Sequence, residues 1–365
     1  MSKHRPAPET PACYAMVFPG LETIAAEEIA QSLDAEVKRT GPGVIVFRVP
    51  EITREVLRLR TVEDVFLLAW GTDELSYKAE DLQHIRRWTA QKADWPRLLQ
   101  IHHALRPKPK GKPTYRLVAQ MTGEHGYRRI DAREALAKGL AGKLPASWRH
   151  AEENAAVEIW LTIHGTTAVC GLRLSDATMR HRTYKEEHRT ASLRPTVAAA
   201  LVRLAEARPG QVVLDPMCGA GTILAEQLLA ARPAERGRVQ VWGGDIDRSA
   251  LRAAGENLRK LGQPLLARWD ATRLPLPAGS VDRILSNPPF GKQLSTPAEI
   301  GPLYRRMLVE YSRVLRPDGR AVLLVADAEP LREAAAAVGW KRGRYFRVRV
   351  LGQMAQLSVW RPGDA

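Results

Sequence analysis

The C-terminal half of the chain alternates short apolar segments with helix-like segments, and this alternation restricts the fold more than any other feature. The apolar segments QVVLD (211–215), VQVWGGD (239–245) and VDRILS (281–286) are separated by segments with helical apolar spacing, such as TVAAALVRLAEA (196–207). Apolar strands that alternate with helices are typical of a parallel sheet covered on both faces. We therefore expect an α/β domain with a doubly wound parallel sheet.

The remaining segments of this half complete the predicted sheet. RSALRAAGENLRKLG is predicted to form a helix with a C-cap at Gly262, and PLYRRMLVEYSRVLRPDG a helix that ends at Pro317 and Gly319. The last two apolar runs, YFRVRVLG and AQLSVWRP, are joined by a turn at Gly352 that is too short for a parallel crossover. We therefore expect a seven-stranded sheet whose last strand is antiparallel.

The N-terminal half has a different pattern. CYAMVFPG, LETIAAEEIAQSL, AEVKRT and GVIVFRVP indicate a strand, a helix and two strands, which describes a small α+β unit. A strand, two helices, a further strand and helix, and a hairpin that turns at Gly165 are predicted to follow. A polar, basic connector, SDATMRHRTYKEEHRTASLRP, then joins the two halves.

The charge of the chain limits its partners. A formal net charge of +15 and a pI of about 10.0 favour a polyanion, most simply nucleic acid, although an arginine-rich composition can also reflect genomic base content. The three cysteines, Cys13, Cys170 and Cys218, are far apart, so we expect neither disulfides nor a zinc site. With no signal-peptide pattern and no apolar run long enough for a membrane span, we expect a cytoplasmic protein without membrane or metal partners.

The segment LDPMCGAGT (214–222) has the composition of a ligand-binding turn between a strand and a helix. Glycines at 219 and 221 allow a ligand to approach the backbone, as NAD, a nucleotide phosphate or S-adenosylmethionine would require. Asp215 precedes the turn, where it would repel a pyrophosphate but can face the ammonium group of an amino-acid tail. Because the P-loop and GxGxxG patterns are both missing here, S-adenosylmethionine is favoured.

Acidic residues also end the next two predicted strands. Asp245 in GGDID is placed to accept both ribose hydroxyls, and Ile246 can cover one face of adenine. Asp270 ends the third strand, where it can accept the adenine amino group. Each acid alone could be a solvated residue at a strand end. Three acids at successive carboxyl ends indicate a ligand site, since ligands of open α/β sheets bind at that edge.

The segments DPMCGAGT, GGDID, WDA and SNPPF resemble those of class I S-adenosylmethionine-dependent methyltransferases, over about residues 195–362. The resemblance implies a Rossmann-fold methyltransferase domain with S-adenosylmethionine as its cofactor. Cys218 is interpreted as a small turn residue rather than a nucleophile. The predicted cofactor-binding residues are Asp215, Cys218, Gly219, Gly221, Thr222, Asp245, Ile246, Asp270, Ala271, Ser192, Leu193 and Pro195.

The fourth strand stops at NPPF (287–290), because two prolines remove backbone donors. By resemblance, this motif implies methyl transfer to a planar exocyclic nitrogen. The Asn287 side-chain oxygen and the Pro288 carbonyl can accept the N–H bonds of that nitrogen, and Phe290 can stack on the flat base. The alternative is a proline stop beside a core phenylalanine. The motif leaves guanine N2, adenine N6, cytosine N4 and a glutamine amide open.

The N-terminal half resembles the THUMP arrangement of RNA-modifying enzymes, in YRLVAQMTGEHGYRRIDAREALAKGLAGKL, VEIWLTIHGTTAVCGLRLSD and the junction MRHRTYKEEHRTASLRPTVAAAL. Thr183 stands where the family commonly has glycine. The resemblance implies a ferredoxin-like domain at 1–66, a THUMP domain at 67–176, a linker at 177–194 and the methyltransferase domain at 195–365.

The same resemblance implies a monomer whose THUMP domain binds the acceptor end of tRNA. The predicted substrate-binding residues are Arg182, Tyr184, Lys185, Lys292, Arg106, Lys108, Lys110 and Lys112. A second basic run comprises Lys341, Arg342, Arg344, Arg347 and Arg349. This run, or the basic loop Arg106, Lys108, Lys110, Lys112 and Arg116, could contact phosphates, and either could simply be a solvated face.

Together these features predict a tRNA guanine-N2 methyltransferase that forms N2-methylguanosine at position 6 of the acceptor stem. A ribosomal RNA guanine-N2 methyltransferase would have the same architecture. A protein glutamine methyltransferase shares the NPP motif but needs neither a THUMP domain nor a basic surface. A non-enzymatic RNA-binding protein is disfavoured because every cofactor position is intact.

Overall fold

The protein is described by a computed structural model, which covers residues 10–106, 111, 113–187, 192–230, 239–262, 264–290, 299–350 and 352–363. The chain divides into two compact units. The N-terminal unit comprises Met1–Val17 and Ala25–Met179, and the C-terminal unit comprises Phe18–Ile24 and Arg180–Ala365. Within the described ranges, none of the helices combines the length and the apolar character that crossing a membrane requires.

The N-terminal unit is built on one eight-stranded sheet. Its strands are β1 (Cys13–Val17), β2 (Glu36–Gly41), β3 (Val44–Arg48), β4 (Val62–Thr72), β5 (Thr114–Thr122), β6 (Arg149–His150), β7 (Val157–His164) and β8 (Thr167–Arg173). The helices are α1 (Glu22–Leu33), α2 (Asp81–Gln91), α3 (Trp95–Leu105), α4 (Arg129–Leu140) and α5 (Ala177–His181), with a 3₁₀ turn at Arg54–Arg58.

Strand β4 connects the two regions of this unit. The strand order is β2-β3-β1-β4-β8-β7-β5-β6, so β4 pairs with β1 on one side and with β8 on the other. Buried Tyr14 and Phe66 stack with ring centroids 4.5 Å apart across the β1–β4 pair. The segments predicted as separate domains at 1–66 and 67–176 therefore share one continuous sheet.

The C-terminal unit is a layered α/β structure. Its strands are β9 (Val212–Asp215), β10 (Gln240–Asp245), β11 (Leu265–Arg268), β12 (Val281–Ser286), β13 (Leu315–Val325), β14 (Lys341–Val350) and β15 (Gln353–Arg361). Its helices are α6 (Pro195–Ala205), α7 (Thr222–Ala230), α8 (Arg248–Leu258), α9 (Ile300–Val314) and α10 (Ala328–Ala337). The predicted α/β fold is confirmed.

The sheet of this unit has the order β11-β10-β9-β12-β13-β15-β14. The first five strands in this order are mutually parallel, whereas β15 runs antiparallel to both β13 and β14. All four residues of β9 and all six of β12 are buried, because helices cover both faces. Burial of apolar side chains on both faces stabilises these central strands. Because the strands are parallel, their carboxyl ends lie at one edge of the sheet.

Two predicted helix ends are wrong. Helix α8 ends at Leu258, where the Arg259 N–H bonds the Gly255 carbonyl, so Gly262 is not its C-cap. Helix α9 ends at Val314, and the stretch with Pro317 and Gly319 belongs to β13 instead. The reason is tertiary: buried Leu315 pairs with Val281 of β12, and this sheet contact ends the helix.

Candidate active site

Three predicted cofactor-binding acids lie at one edge of the C-terminal sheet. Strands β9, β10 and β11 are parallel neighbours, with Asp215 in register with Gly243 and Asp245 in register with Arg268. Asp215 and Asp245 end their strands, and Asp270 follows β11 by two residues. The carboxyl ends therefore converge, as the sequence predicts, at the edge where α/β sheets bind ligands.

The turn after β9 is held against β10 by backbone hydrogen bonds. The Cys218 N–H donates to the Gly244 carbonyl at 2.9 Å, and the Gly219 N–H donates to the Asp245 carboxylate at 2.9 Å. Gly219 has φ +53°, and a Cβ at this position would have no heavy atom within 4 Å among the described residues. The turn therefore presents an open backbone surface that a ligand can approach closely.

Asp245 and Ile246 form the middle of the site. The second Asp245 oxygen accepts the Asp247 N–H at 2.9 Å, so both carboxylate oxygens are fixed and each retains acceptor capacity. The Ile246 side chain is 63% exposed, and its carbonyl accepts a hydrogen bond from Arg268 Nε at 2.9 Å. The Asp245 carboxylate can accept hydrogen bonds from a ribose, and the exposed Ile246 side chain can cover one face of the attached base.

The third strand end is shaped by a local turn. The Asp270 Oδ1 accepts hydrogen bonds from the Thr272 N–H and hydroxyl, both at 2.8 Å, and the carboxylate is exposed at the edge of the sheet. The next residue, Ala271, is buried. This arrangement leaves Asp270 able to accept an amino group from a ligand.

Asp215 lies in the interior and is 1% exposed. Burial, with a smaller contribution from the Asp245 charge, raises the pKa of its carboxyl well above the ordinary value, while the Met217 N–H donates to it at 3.2 Å. Burial, Asp215 and Asp245 likewise raise the pKa of the Cys218 thiol. A thiol that keeps its proton is a poor nucleophile, which supports the interpretation of Cys218 as a turn residue.

Trp269 is a supporting residue that the sequence reasoning missed. Its indole N–H donates to the Pro216 carbonyl at 3.1 Å, and its ring packs so close to β10 that a Cβ on Gly244 would lie 2.0 Å from it. The ring therefore fixes the turn and β10 together. The paired glycines that end the apolar run VQVWGG could have indicated this close packing.

Glu226 on α7 was also missed. It is 0% exposed and accepts hydrogen bonds from Arg182 Nε at 3.2 Å and from the Tyr184 hydroxyl at 2.7 Å. Arg182 and Tyr184, predicted to bind substrate, are thus buried in the C-terminal unit, and their contact with substrate stays a prediction. An acid inside the apolar helix TILAEQLLA was the signal for such a partner.

Lys185, Ser192 and Pro195 of the predicted connector also make contacts within the C-terminal unit. Lys185 Nζ donates to the Leu193 carbonyl at 2.7 Å, and burial lowers the pKa of this lysine. Ser192 and Thr222 hydroxyls are 3.4 Å apart, and Pro195 is the first residue of α6. These three residues of the connector therefore lie against the turn and the helices around it.

Asn257 on α8 links this connector to the turn, and nothing in the sequence indicated its role. The side chain is 2% exposed; its oxygen accepts the Glu187 N–H at 2.8 Å, and its amide nitrogen donates to the carbonyls of Glu187 at 3.2 Å and Ala220 at 3.0 Å. A buried amide with three hydrogen bonds specifies one geometry for the groups it joins.

The NPPF motif follows β12. Strand β12 is a parallel neighbour of β9, the strand that leads into the Gly219 turn. The Asn287 Oδ1 is buried and accepts no hydrogen bond from the residues that the structure describes. A buried acceptor without a donor costs about 1–3 kcal/mol, and a ligand amine that donates to Asn287 would remove this cost. Pro288 is buried and Phe290 is 4% exposed. The strand ends bring Asn287 to the same edge as the three acids.

Several predicted substrate residues lie elsewhere. Arg106 belongs to the N-terminal unit and pairs with Asp176 at 2.8 Å. The remaining predictions, Lys108, Lys110, Lys112 and Lys292, lie outside the described residues. Within those same limits, no group of three His, Cys, Asp or Glu side chains could hold a metal ion.

The edge fits S-adenosylmethionine by its chemistry. The open backbone at Gly219 provides a surface for the amino-acid tail, and Asp215 and Asp245 provide acceptors for an ammonium group and ribose hydroxyls. Ile246 and Asp270 provide an apolar cover and an acceptor for adenine. The Asp245 and Asp270 carboxylates also match the positive charge of a sulfonium ligand.

Comparisons with known proteins identify the family of the chain. Residues 182–356 match the family model described as the RMKL-like methyltransferase domain. The chain is 30% identical over 354 residues to a tRNA (guanine(6)-N2)-methyltransferase of Thermus thermophilus, with 93% of this chain and 99% of the relative aligned. The crystal structure of TrmN from Thermus thermophilus superposes with a TM-score of 0.78 at 28% identity, covering 97% of this chain and 100% of that chain.

Longer relatives match mainly through part of their length. A bovine U6 snRNA (guanine-N(2))-methyltransferase, THUMPD2, is 38% identical over 52% of this chain, and the match covers 36% of that protein. A bovine tRNA (guanine(6)-N(2))-methyltransferase, THUMP3, is 32% identical over 58% of this chain, and the match covers 44% of that protein. The full-length similarity to the Thermus enzyme decides the assignment: the chain belongs to the tRNA (guanine-N2)-methyltransferase family with an RMKL-like, S-adenosylmethionine-dependent methyltransferase domain.

Proposed function

We propose that this chain methylates the exocyclic N2 amine of a guanosine in tRNA, at position 6 of the acceptor stem. The observation that carries the proposal is the buried Asn287 Oδ1, which has no donor among the described residues and lies at the cofactor edge. An amine placed there would donate the missing hydrogen bond. The Thermus relative is named for this atom and this nucleotide, and it aligns over nearly its whole length.

The residues of NPPF orient the amine. A guanine amine is a weak nucleophile because its lone pair is delocalised into the ring. The Asn287 oxygen and the Pro288 carbonyl accept its two N–H bonds, which draws the nitrogen toward tetrahedral geometry and directs its lone pair. The prolines restrict the backbone, so the two acceptors keep a fixed separation. Phe290 sets the angle of the base by stacking on it.

The cofactor supplies an electrophilic methyl group, so the chain acts chiefly by positioning. Asn287 and Pro288 need not remove a proton before transfer, because the methylated nitrogen is acidic enough to lose its proton afterwards. The guanine must leave its base pair to reach Asn287, which costs a few kcal/mol. Contacts with the remainder of the RNA must supply that energy.

The proposal extends to the rest of the chain. We place a ferredoxin-like domain at 1–66, a THUMP domain at 67–176 that binds the acceptor end, a linker at 177–194 and the methyltransferase domain at 195–365. Strand β4 (Val62–Thr72) spans the boundary between the first two of these domains, so they share one sheet. We also propose that the chain acts as a monomer in the cytoplasm, which light scattering and fractionation would test.

The names of the relatives agree on the atom that is methylated but differ in the RNA that carries it. Both the tRNA enzymes and the U6 snRNA enzymes are named for guanine N2, so the same atom is methylated in different RNAs. The alignment with the U6 snRNA enzyme covers only 36% of that protein, whereas the tRNA enzyme aligns over 99% of its length. We therefore place tRNA first.

The test is a methyl-transfer assay with labelled S-adenosylmethionine and separate pools of unmodified tRNA, U6 snRNA, ribosomal RNA and protein, followed by nucleoside analysis. We expect label as N2-methylguanosine in tRNA, at position 6 on sequencing. N2-methylguanosine in another RNA would keep the reaction and overturn the substrate. Label on adenine, cytosine or protein alone would overturn the assignment of the amine.

A further inference from the structure

A cavity of about 470 Å³ opens at the amino edge of the C-terminal sheet, opposite the cofactor edge. It is formed by the end of α6, Arg320 in β13, the start of β14 and the end of β15. The lining residues are Leu204, Glu206, Arg320, Lys341, Arg342, Gly343, Arg344, Val359, Arg361 and Pro362. Strands β9, β12 and β13 all run from the edge with this cavity toward the cofactor edge. The cavity and Asn287 therefore lie at opposite edges of the sheet.

The cavity is strongly basic. Its lining contains five basic side chains and a single acid, Glu206, whose carboxylate already pairs with Arg320 at 2.9 Å. A second buried arginine, Arg283, lies beside Arg320 in the β12–β13 register, and burial and the Arg320 charge lower its pKa. The concentration of positive charge is therefore large enough to disfavour further cations, and it attracts an anion.

Two arginines at this edge of the sheet cap helix α6. Arg320 donates to the Leu204 carbonyl at 2.8 Å, and Arg283 donates to the Ala205 carbonyl at 2.8 Å, so both cap the carboxyl end of α6. Cations are favoured at a helix carboxyl end. Helix capping accounts for Arg283 and Arg320, but it does not account for the other four basic residues of the lining.

The shape of β14 brings two of those four to the cavity. Arg342 pairs with Trp360 and Tyr345 with Ser358, so Gly343 and Arg344 together oppose the single residue Val359. Such a bulge redirects side chains from the regular pattern of the strand. Arg342 lies over the Tyr345 ring with its guanidinium carbon 4.5 Å from the centroid, and Arg344 lies 5.1 Å over Phe346. Stacking on a ring limits the conformations of an arginine that binds phosphate.

Protection of a sheet edge explains only part of this pattern. Strand β14 is an edge strand, and lysine or arginine on an edge strand discourages pairing with another chain. This explanation suits the exposed basic residues of β14, which include Lys341, Arg342 and Arg344 of the cavity as well as Arg347 and Arg349. It does not apply to Arg320 and Arg361, which come from the interior strands β13 and β15 and line the same cavity.

We propose that this cavity, here called the phosphate cavity, binds backbone phosphate of the RNA substrate. The inference rests on the proposed function, because it assumes an RNA at Asn287. Arg283 and Asn287 are four residues apart on and after β12, about 13 Å at ~3.3 Å per residue, and β14 lies three strands to the side of β12, about 14 Å at ~4.8 Å per strand. The two offsets combine to about 20 Å, a length that about six base pairs of a nucleic-acid helix cover. The phosphate cavity therefore gives the C-terminal unit its own contact with RNA outside the cofactor edge.

The test compares RNA binding by the full chain and by the double variant Arg342→Ala/Arg344→Ala. Fluorescence anisotropy with an unmodified tRNA transcript is measured between about 50 and 200 mM salt. We expect the variant to bind about tenfold more weakly, with the slope of log K against log salt reduced by about 1 to 2. Affinity for S-adenosylmethionine, measured by calorimetry, should not change. Equal RNA affinity and equal slope in the two proteins would overturn the inference.

Matched variants separate charge from folding. Arg332→Ala on α10 removes one exposed arginine outside the cavity and should leave RNA binding unchanged, whereas Arg344→Ala alone should weaken it. Arg342→Lys/Arg344→Lys keeps both charges and should recover most of the affinity. If the alanine variant does not fold, Arg344→Gln takes its place in the same comparison. A loss of RNA affinity in Arg332→Ala as large as that in Arg344→Ala would contradict a local site.

The source of the phosphate is tested in the same samples. Inorganic pyrophosphate and ATP are titrated into the wild-type protein and the double variant. One outcome is that the wild-type protein binds these ligands and the double variant does not, while both proteins bind RNA equally well. In that case the cavity holds a free phosphate ligand and the RNA inference is wrong. Methyl transfer to tRNA by the wild-type protein is measured alongside. Failure of that reaction overturns the proposed function, whereas normal transfer with unchanged RNA binding in the variant overturns only this inference.

Discussion

The two edges of the C-terminal sheet carry opposite charge. The carboxyl edge ends in Asp215, Asp245 and Asp270, while the amino edge collects basic residues around one cavity. A sulfonium cofactor with an ammonium group matches the first edge, and a polyanion matches the second. The net charge of +15 is therefore unevenly distributed over the chain, and we propose that the two edges of one sheet bind ligands of opposite charge.

The largest expected effect tests whether the acidic edge also performs the chemistry. Asn287→Ala removes the acceptor that the amine requires, so we expect kcat to fall about 100-fold or more. S-Adenosylmethionine affinity and RNA affinity should both stay near wild type. Asn287→Asp keeps an acceptor oxygen at the same position and should retain part of the activity. Steady-state kinetics and calorimetry measure these quantities, and wild-type turnover in the alanine variant would disprove the mechanism.

The second prediction sharpens the comparison between the edges. Asp245→Ala removes the acceptor for the Gly219 and Asp247 N–H groups as well as the proposed ribose contact. We expect about 100-fold weaker S-adenosylmethionine binding by calorimetry, with RNA binding unchanged. Asp318→Ala is the control, because it removes an exposed carboxylate near the start of β13 at the opposite edge. The idea of separate edges fails if Asp318→Ala weakens cofactor binding as strongly as Asp245→Ala.

The third prediction is that pH acts on one edge and salt on the other. Because the pKa of Asp215 is raised, its carboxyl keeps a proton to higher pH, and binding an ammonium group must release that proton. Cofactor affinity should therefore increase with pH, by at most about tenfold per unit, until the pH passes either the raised pKa of Asp215 or the pKa of the cofactor's α-ammonium group, about 8.

Calorimetry in buffers of different ionisation enthalpy checks the proton release, and Asp215→Asn should abolish it. Arginine stays charged across this range. RNA binding through the phosphate cavity should therefore respond to salt and not to this titration. If cofactor affinity does not vary with pH, Asp215 does not bind the ammonium group of the cofactor.

The smallest effect concerns Ile246. Its exposed side chain gains burial only when a ligand covers it, so Ile246→Ala should weaken cofactor binding about fivefold, which corresponds to roughly 1 kcal/mol of apolar burial. Ile246→Val should have a smaller effect. Fluorescence or calorimetric titration distinguishes the two, and unchanged affinity in Ile246→Ala would mean that adenine does not contact this residue.

Much of the cofactor edge was predictable from the sequence. The alternation of apolar strands and helices predicts a parallel sheet, and in such a sheet the carboxyl ends lie at one edge. Asp215, Asp245 and Asp270 could therefore be grouped without knowing any contact between them. The end of α9 could not be predicted, because Leu315 leaves the helix to pair with Val281 in the sheet. Local apolar spacing continues the helix there, and only the sheet contact ends it.

The sequence by itself determined the order of the elements, the cofactor turn and the acceptor after β12, because these depend on residues that are neighbours in the chain. Tertiary structure alone decided that Arg182 and Tyr184 bind Glu226, that Asn257 joins the connector to the turn, and that Arg320 reaches α6. These partners are 37 to 116 residues apart. Each pairing depends on which helix faces packed together, and a buried polar group takes whichever partner that packing brings within hydrogen-bonding distance.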